Sequence, residues 1–171
     1  MAYRKHHQLS VDVNAAPLAL FDRLDDQERL AAHMEKPSMM MMGGRMSYRF
    51  DAAKGRAVGS VITMGGSFLW LDLVVEEVVI ERDPPKRKVW ETRGAPRLVI
   101  IGGYRMGFEI EPRGNASALC VFIDYDDPTS WVGRILGALF APLYARWCVE
   151  RMAKDAQRYF AQGLADTALA S

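Results

Sequence analysis

The sequence predicts an α+β fold: a curved antiparallel sheet of six to seven strands wrapped around a long C-terminal helix, with two short helices after the first strand. Three observations carry this expectation. Period-two hydrophobic segments recur between residues 5 and 125, separated by turn residues. One long run with helical periodicity follows them, from Trp131 to Gln162. Two short apolar stripes at helical spacing, around residues 20 and 30, interrupt the strands early.

The elements follow in order. Residues 5–13 form the first strand, with Val11 and Val13 on one face and Ser10 and Asp12 on the other. Pro17 stands where a helix can begin, and Leu20, Phe21 and Leu24 supply its apolar stripe. Asp26 can cap a second short helix carrying Leu30 and Met34. After Pro37 the period becomes two: Met46, Tyr48 and Phe50 alternate with Ser47 and Arg49. Val58 to Met64 reads as a strand, Gly65-Gly66 as a hairpin turn, and Phe68 to Glu81 as a long strand. Asp83-Pro84-Pro85 ends that strand. Lys88 to Thr92 is next, then a turn at Gly94-Ala95-Pro96. Residues 98–110 alternate clearly, with Leu98, Ile100, Tyr104, Met106, Phe108 and Ile110 on one face. A turn at 112–115 leads to the last strand, with Leu119, Val121, Ile123 and Tyr125. Ser130 is a fitting N-cap for the final helix, whose expected buried stripe is Leu136, Phe140, Tyr144, Cys148, Met152, Ala156 and Tyr159. Pro142 should kink or split that helix and Gly163 should stop it.

With 171 residues, half of them apolar, the chain fits a single domain, 1–171, with a full-sized core. Its 22 Lys+Arg and 21 Asp+Glu leave a net charge of +1, which provides no electrostatic reason to expect a nucleic-acid partner. Cys120 and Cys148 have no CxxC spacing and no nearby His, so they read as buried reduced thiols. The N-terminal segment has no apolar h-region, and a cytoplasmic protein is expected. Trp131–Val149 is long enough to span a bilayer, but Arg134 and Arg146 cancel its apolar gain, so a buried helix of a soluble domain is the better reading.

A twisted sheet cannot close tightly along the whole length of one helix. The gap becomes an apolar cavity, a natural site for a small molecule.

The stretch Val11-Asp12-Val13-Asn14-Ala15-Ala16-Pro17 leading to Phe21, the run Leu24-Asp25-Asp26 to Leu30, and Val78 to Pro85 with Val89-Trp90-Glu91 precede the long final helix. In that order and spacing the chain resembles the START-like (SRPBCC, helix-grip) superfamily, which includes the birch-pollen allergens, polyketide cyclases/dehydrases and a group of carbon-monoxide-dehydrogenase components. The resemblance implies hydrophobic-ligand binding in an internal cavity, in some members with catalysis. The superfamily has no universal catalytic residue to carry over, so the resemblance leaves the activity open.

From period-two facing, the expected pocket wall is Tyr48, Phe50, Leu71, Leu73, Val75, Tyr104, Met106, Phe108, Phe140 and Tyr144. Tyr48, Tyr104, Tyr125 and Tyr144 combine apolar rings with hydroxyls that need partners when buried. His7 and Glu77 are the candidate acid–base groups. His7 has the parity of Leu9, Val11 and Val13, although a strand-end His with a backbone or water partner is the simpler reading. Glu77 has the parity of Leu69, Leu71, Leu73, Val75 and Val79, which turns a carboxylate into an apolar space. A β-bulge at Glu76-Glu77 that turns both outward is preferred.

Met34, Met39 to Met42 and Met46 cluster beside His33. Thioethers suit Cu(I), but no Cys lies nearby, and core packing or an adaptable pocket mouth is preferred. No metal or cofactor is expected. Gly102-Gly103-Tyr104-Arg105-Met106-Gly107 is not a phosphate loop; its glycines suit a strand bend or a close backbone approach. Lys54, Arg56, Lys86, Arg87, Lys88, Arg93 and Arg97 are interspersed with acids and read as surface residues. The leading expectation is a binding or carrier domain for a lipid, quinone or polyketide-like compound. The alternatives are a cyclase/dehydratase-type enzyme and an accessory protein that docks on a protein or membrane through Met39–Met42 or Trp131–Trp147.

Overall fold

The computed structural model describes residues 3–28, 46–68, 71–98 and 100–169. In chain order these form β1 (Lys5–Val13), α1 (Pro17–Asp25), β2 (Met46–Phe50), β3 (Val61–Phe68), β4 (Leu71–Asp83), β5 (Arg87–Arg97), β6 (Tyr104–Arg113), β7 (Ala116–Tyr125) and α2 (Trp131–Leu169). The strands make one antiparallel sheet in the order β1-β7-β6-β5-β4-β3-β2. The expected second short helix, with Leu30 and Met34, lies outside the described residues, as do His33 and Met39–Met42.

Alternation decides the inner face. Directly opposed residues mark it: Ile62 faces Glu77, and two positions further along β4 this row of inward residues continues from Val79 through Trp90, Met106 and Ile123 to His7. Apolar members of this row, from Ile62 to Ile123, belong to the core. The expected α1 stripe is also in place, with Leu20, Phe21 and Leu24 buried. Phe21 meets Phe108 edge-on with ring centroids 5.5 Å apart, and Phe108 meets Trp90 at 6.5 Å.

Two turn expectations and one strand boundary are corrected. Gly65-Gly66 is not a hairpin turn. Both residues continue β3 and pair with Val74 and Leu73, and neither has the positive φ a primed turn requires. The reversal falls between Phe68 and Leu71, which pair with each other. Gly94-Ala95-Pro96 lies within β5, where the stretch from Arg93 to Arg97 is matched on β4 only by the shorter stretch from Val74 to Glu76. The surplus residues bulge, and Gly94 takes a φ of 72° there. The alternating run 98–110 becomes a strand only from Tyr104. Just before it, Gly102 donates its N–H to the Asp126 carbonyl at 2.8 Å. A Cβ at Gly102 would lie 2.7 Å from the Asp127 carbonyl oxygen, so this is the close backbone approach expected of these glycines.

Lys88 is the largest departure from a surface reading. It shares the inner face with Trp90, and no part of it is exposed. Its ammonium donates to Asp25 Oδ1 at 2.7 Å and to the Asp25 carbonyl at 3.2 Å. Arg82 donates to the same carboxylate, at 2.8 Å from Nη2. Burial would raise the Asp25 pKa, but the Arg82 and Lys88 hydrogen bonds outweigh it and hold the carboxyl below its usual range. The cluster ties the C-terminal end of α1 to β4 and β5.

Ser130 caps α2 as expected, its hydroxyl accepting the Gly133 N–H at 3.1 Å. The helix is one element with Pro142 inside, and Gly163 does not stop it. Met152 and Ala156 of the expected stripe are buried, but before them the buried stripe is offset by one residue, running Gly133, Gly137, Ala141, Ala145 and Val149. Small side chains let α2 press onto the sheet, where it packs chiefly against β1 and β7. A Cβ at Gly137 would lie 2.7 Å from the Ile100 carbonyl oxygen. Because α2 hugs that side, its close packing does not extend, among the described residues, to the inner face of β2, β3 and β4.

Candidate functional site

The uncovered space is a cavity of about 150 Å³. β2 contributes Tyr48 and Phe50, β3 Ile62 and Met64, and β4 Val75 and Glu77. Trp90, Tyr104, Met106 and Ile123 come from β5, β6 and β7. Leu98 and Ile101 lie on the segment that Gly102 and Gly137 draw beneath α2. The helix supplies Tyr144, Trp147, Cys148 and Met152, with Arg151 and Asp155 paired at 3.1 Å. Gln27 completes the wall.

Seven of the sequence-expected residues therefore meet in one wall: Tyr48, Phe50, Val75, Glu77, Tyr104, Met106 and Tyr144. Others do not. Phe108 is fully buried but packs between Phe21 and Trp90, away from the cavity. Phe140 is 49% exposed, because at this level of the helix the small residues Gly137 and Ala141 are the ones turned toward the sheet. Tyr125 is buried outside the wall, beneath the Lys5 ammonium. Leu71 and Leu73 lie on β4, but their side chains are outside the described residues. His7 is half-buried on β1 and absent from the wall, so His7 and Glu77 do not form a pair.

The preferred outward bulge at Glu76-Glu77 is overturned. The register shifts of β4 lie on either side, between Val74 and Glu76 and between Val79 and Glu81. Val75, Glu77 and Val79 consequently stay in phase, and Glu77 is 7% exposed. Its Oε1 accepts a hydrogen bond from the Tyr104 hydroxyl, and the Trp90 side chain bonds it as well. Burial pushes the Glu77 carboxyl up to about 7, against the lowering pull of Tyr104, Trp90 and the Lys88 charge. Tyr104 is held well above the ordinary phenol range by burial and by the Glu77 charge. Tyr144 is raised by Cys148 and by burial, and burial pushes the Cys148 thiol up to about 12. Cys148 is thus a neutral thiol at ordinary pH and not an activated nucleophile. The chemistry of the site is one buried carboxyl and three tyrosine hydroxyls among mostly apolar side chains, with Gln27 and the Arg151–Asp155 pair also in the wall.

Several wall residues were not singled out from sequence. Ile62 and Met64 share the parity of an expected strand, and pairing with Tyr48 and Phe50 would have placed them. The bond of Trp90 to Glu77 depends on the β4–β5 register, which no local pattern reveals. Cys148 and Met152 follow Tyr144 on the expected stripe of α2, whereas Trp147 could be placed only once the rotation of the helix is known. Among the described residues no group of three or more His, Cys, Asp or Glu could hold a metal ion.

No protein-family model and no curated protein matches this chain. Solved structures do. A protein of Thermus thermophilus superimposes with a TM-score of 0.64 at 14% identity, covering 93% of this chain and 99% of that one. Ara h 8.0201 gives 0.61 at 12% identity, over 92% and 99%. Norcoclaurine synthase from Thalictrum flavum, solved in complex with dopamine and hydroxybenzaldehyde, gives 0.61 at 16% identity, over 92% and 87%. The architecture is the helix-grip fold that the sequence resembled. At these identities the likeness concerns the fold.

Proposed function

We propose that this chain binds and carries a hydrophobic small molecule in the cavity between the sheet and α2. The observation that supports this is the wall itself: aromatic and aliphatic side chains from six strands and one helix, around a single buried carboxyl. Its volume of about 150 Å³ is the size at which an apolar engineered cavity takes up a benzene ring. The Glu77–Tyr104 pair supplies one polar anchor, suited to a hydroxyl or another proton donor on an otherwise apolar ligand. Norcoclaurine synthase, of the same fold, holds dopamine and hydroxybenzaldehyde. The test is native mass spectrometry of the purified protein, then solvent extraction and identification of what is released. A stoichiometric apolar molecule, lost in Tyr104→Ala, supports the reading. Retention of the same molecule by a variant whose cavity is filled would overturn it.

A second reading, a cyclase/dehydratase-type enzyme, draws on the Glu77 carboxyl at about 7, poised for proton transfer near neutral pH. It requires that Glu77→Gln abolish turnover while leaving ligand uptake intact. Equal turnover in the variant would sink it.

A further inference from the structure

The outward face of the first half of α2 is unusually apolar. Trp131 is 75% exposed, Ile135 56%, Leu139 63% and Leu143 58%, at steps of four residues, with Val132 and Phe140 beside them. Six such side chains leave on the order of 500 Å² of apolar surface in the open, about as large as the largest patch on an ordinary monomer. In this half of the helix the buried positions are Gly133, Gly137, Ala141 and Ala145, so the large apolar side chains are the ones left outside. The charges within this segment are of one sign. Residues 131–149 hold Arg134 and Arg146 and no acidic residue. Arg134 makes no ion pair among the described residues. Arg146 sits in line with the stripe, one turn past its apolar end, and reaches on to Glu150 at 2.6 Å. The second half of the helix differs, mixing Glu150, Arg151, Lys154 and Asp155 in pairs along the helix. No helix among the described residues is long and apolar enough to cross a membrane.

We propose that this face docks on the surface of an anionic lipid bilayer, with the Trp131-Ile135-Leu139-Leu143 stripe among the acyl chains and Arg134 and Arg146 at the headgroups. Aromatic and aliphatic side chains on one face, with flanking cations, are what interfacial binding requires. Lipid phosphate supplies the complementary charge. The opposite face of the same helix carries Tyr144 and Cys148 into the cavity wall, so docking would bring the cavity close to the membrane surface.

The test is sedimentation of the full chain with vesicles of pure phosphatidylcholine and of 3:1 phosphatidylcholine/phosphatidylglycerol. The expected result is recovery in the phosphatidylglycerol-containing pellet, at least tenfold above that with phosphatidylcholine alone, and release in 0.5 M salt, where screening is strong. Ile135→Ser with Leu139→Ser, both exposed, should lower recovery at least tenfold with an unchanged melting temperature. The same loss is expected of Arg134→Glu with Arg146→Glu. No recovery with either vesicle overturns the proposal, as does equal recovery with both, or recovery that the serine variant leaves unchanged. A sedimentation-velocity dimer that the serine variant converts to monomer also overturns it, because a second copy would then cover the face.

Discussion

Burial of Glu77 sets a pH dependence that belongs to that residue. The unfolded carboxyl ionises near 4.5 and the folded one near 7. Between these values the unfolded chain has lost its proton and the folded chain has not. The stability that Glu77 contributes is therefore fully present below about 4.5 and is lost as pH rises through 7. A gap of that size corresponds to roughly 3 kcal/mol. Glu77→Gln should flatten this slope, read as a smaller difference in urea midpoint between pH 5 and pH 8. Tyr104→Phe removes a hydrogen bond that favours the ionised form, so the carboxyl should titrate above about 7 in that variant. Titration of the Glu77 side-chain carbon by NMR checks it. The parity of Glu77 was legible in the sequence, but whether a bulge cancelled it was not, since bulge position depends on the pairing partner. The two irregularities flank Glu77 and leave its phase intact.

At the scale of elements, two joints hold the site open. The first is the α1 attachment, where Asp25 serves both Lys88 and Arg82. Asp25→Ala strands a fully buried ammonium, and the expected loss is ~3–5 kcal/mol in denaturant unfolding. Replacing Lys88 with Met as well should recover much of that loss. From sequence, Lys88 falls among the surface cations, because charged residues are seldom fully buried unless paired. Its partner lies 63 positions away, beyond the reach of any local pattern. The second joint is the contact of α2 with residue 100. Gly137→Ala raises helix propensity by ~1 kcal/mol but drives a methyl against backbone, at about 1–3 kcal/mol. A net loss of stability is expected, measured by urea unfolding, with altered ligand uptake because Leu98 and Ile101 shift with that segment.

For the whole molecule, the cavity is the consequence of an asymmetric helix. α2 packs on β1 and β7 and leaves the other half of the sheet free of it. Filling that space should separate binding from folding. Val75→Phe places a ring in open volume from β4, so the melting temperature should change by less than about 4 °C, under 1 kcal/mol for a domain of this size. On the proposed function, native mass spectrometry should then find the variant without the small molecule expected to co-purify with the parent chain. A well-packed core would give the opposite pattern, with clear destabilisation.

Residue order and period alone determined a great deal: β1 at its observed bounds, α1 and its stripe, the inner parity of β6 and β7, the Ser130 cap and the helix-grip arrangement. Each depends on neighbours within a few positions, where alternation, helical spacing and capping act. Tertiary structure decided where the glycines turn or continue, which face of α2 meets the sheet, and which of the inward residues see a cavity. An amphipathic reading of α2 ranks large apolar residues as buried and turns Phe140 inward. The sheet selects the small residues instead, because only they permit close approach, and the large ones are left facing outward. Phe108 and Tyr104 share a strand and a face, yet one packs beneath α1 and the other bonds Glu77. That division is made by what covers each half of the sheet, and coverage is a property of the folded chain.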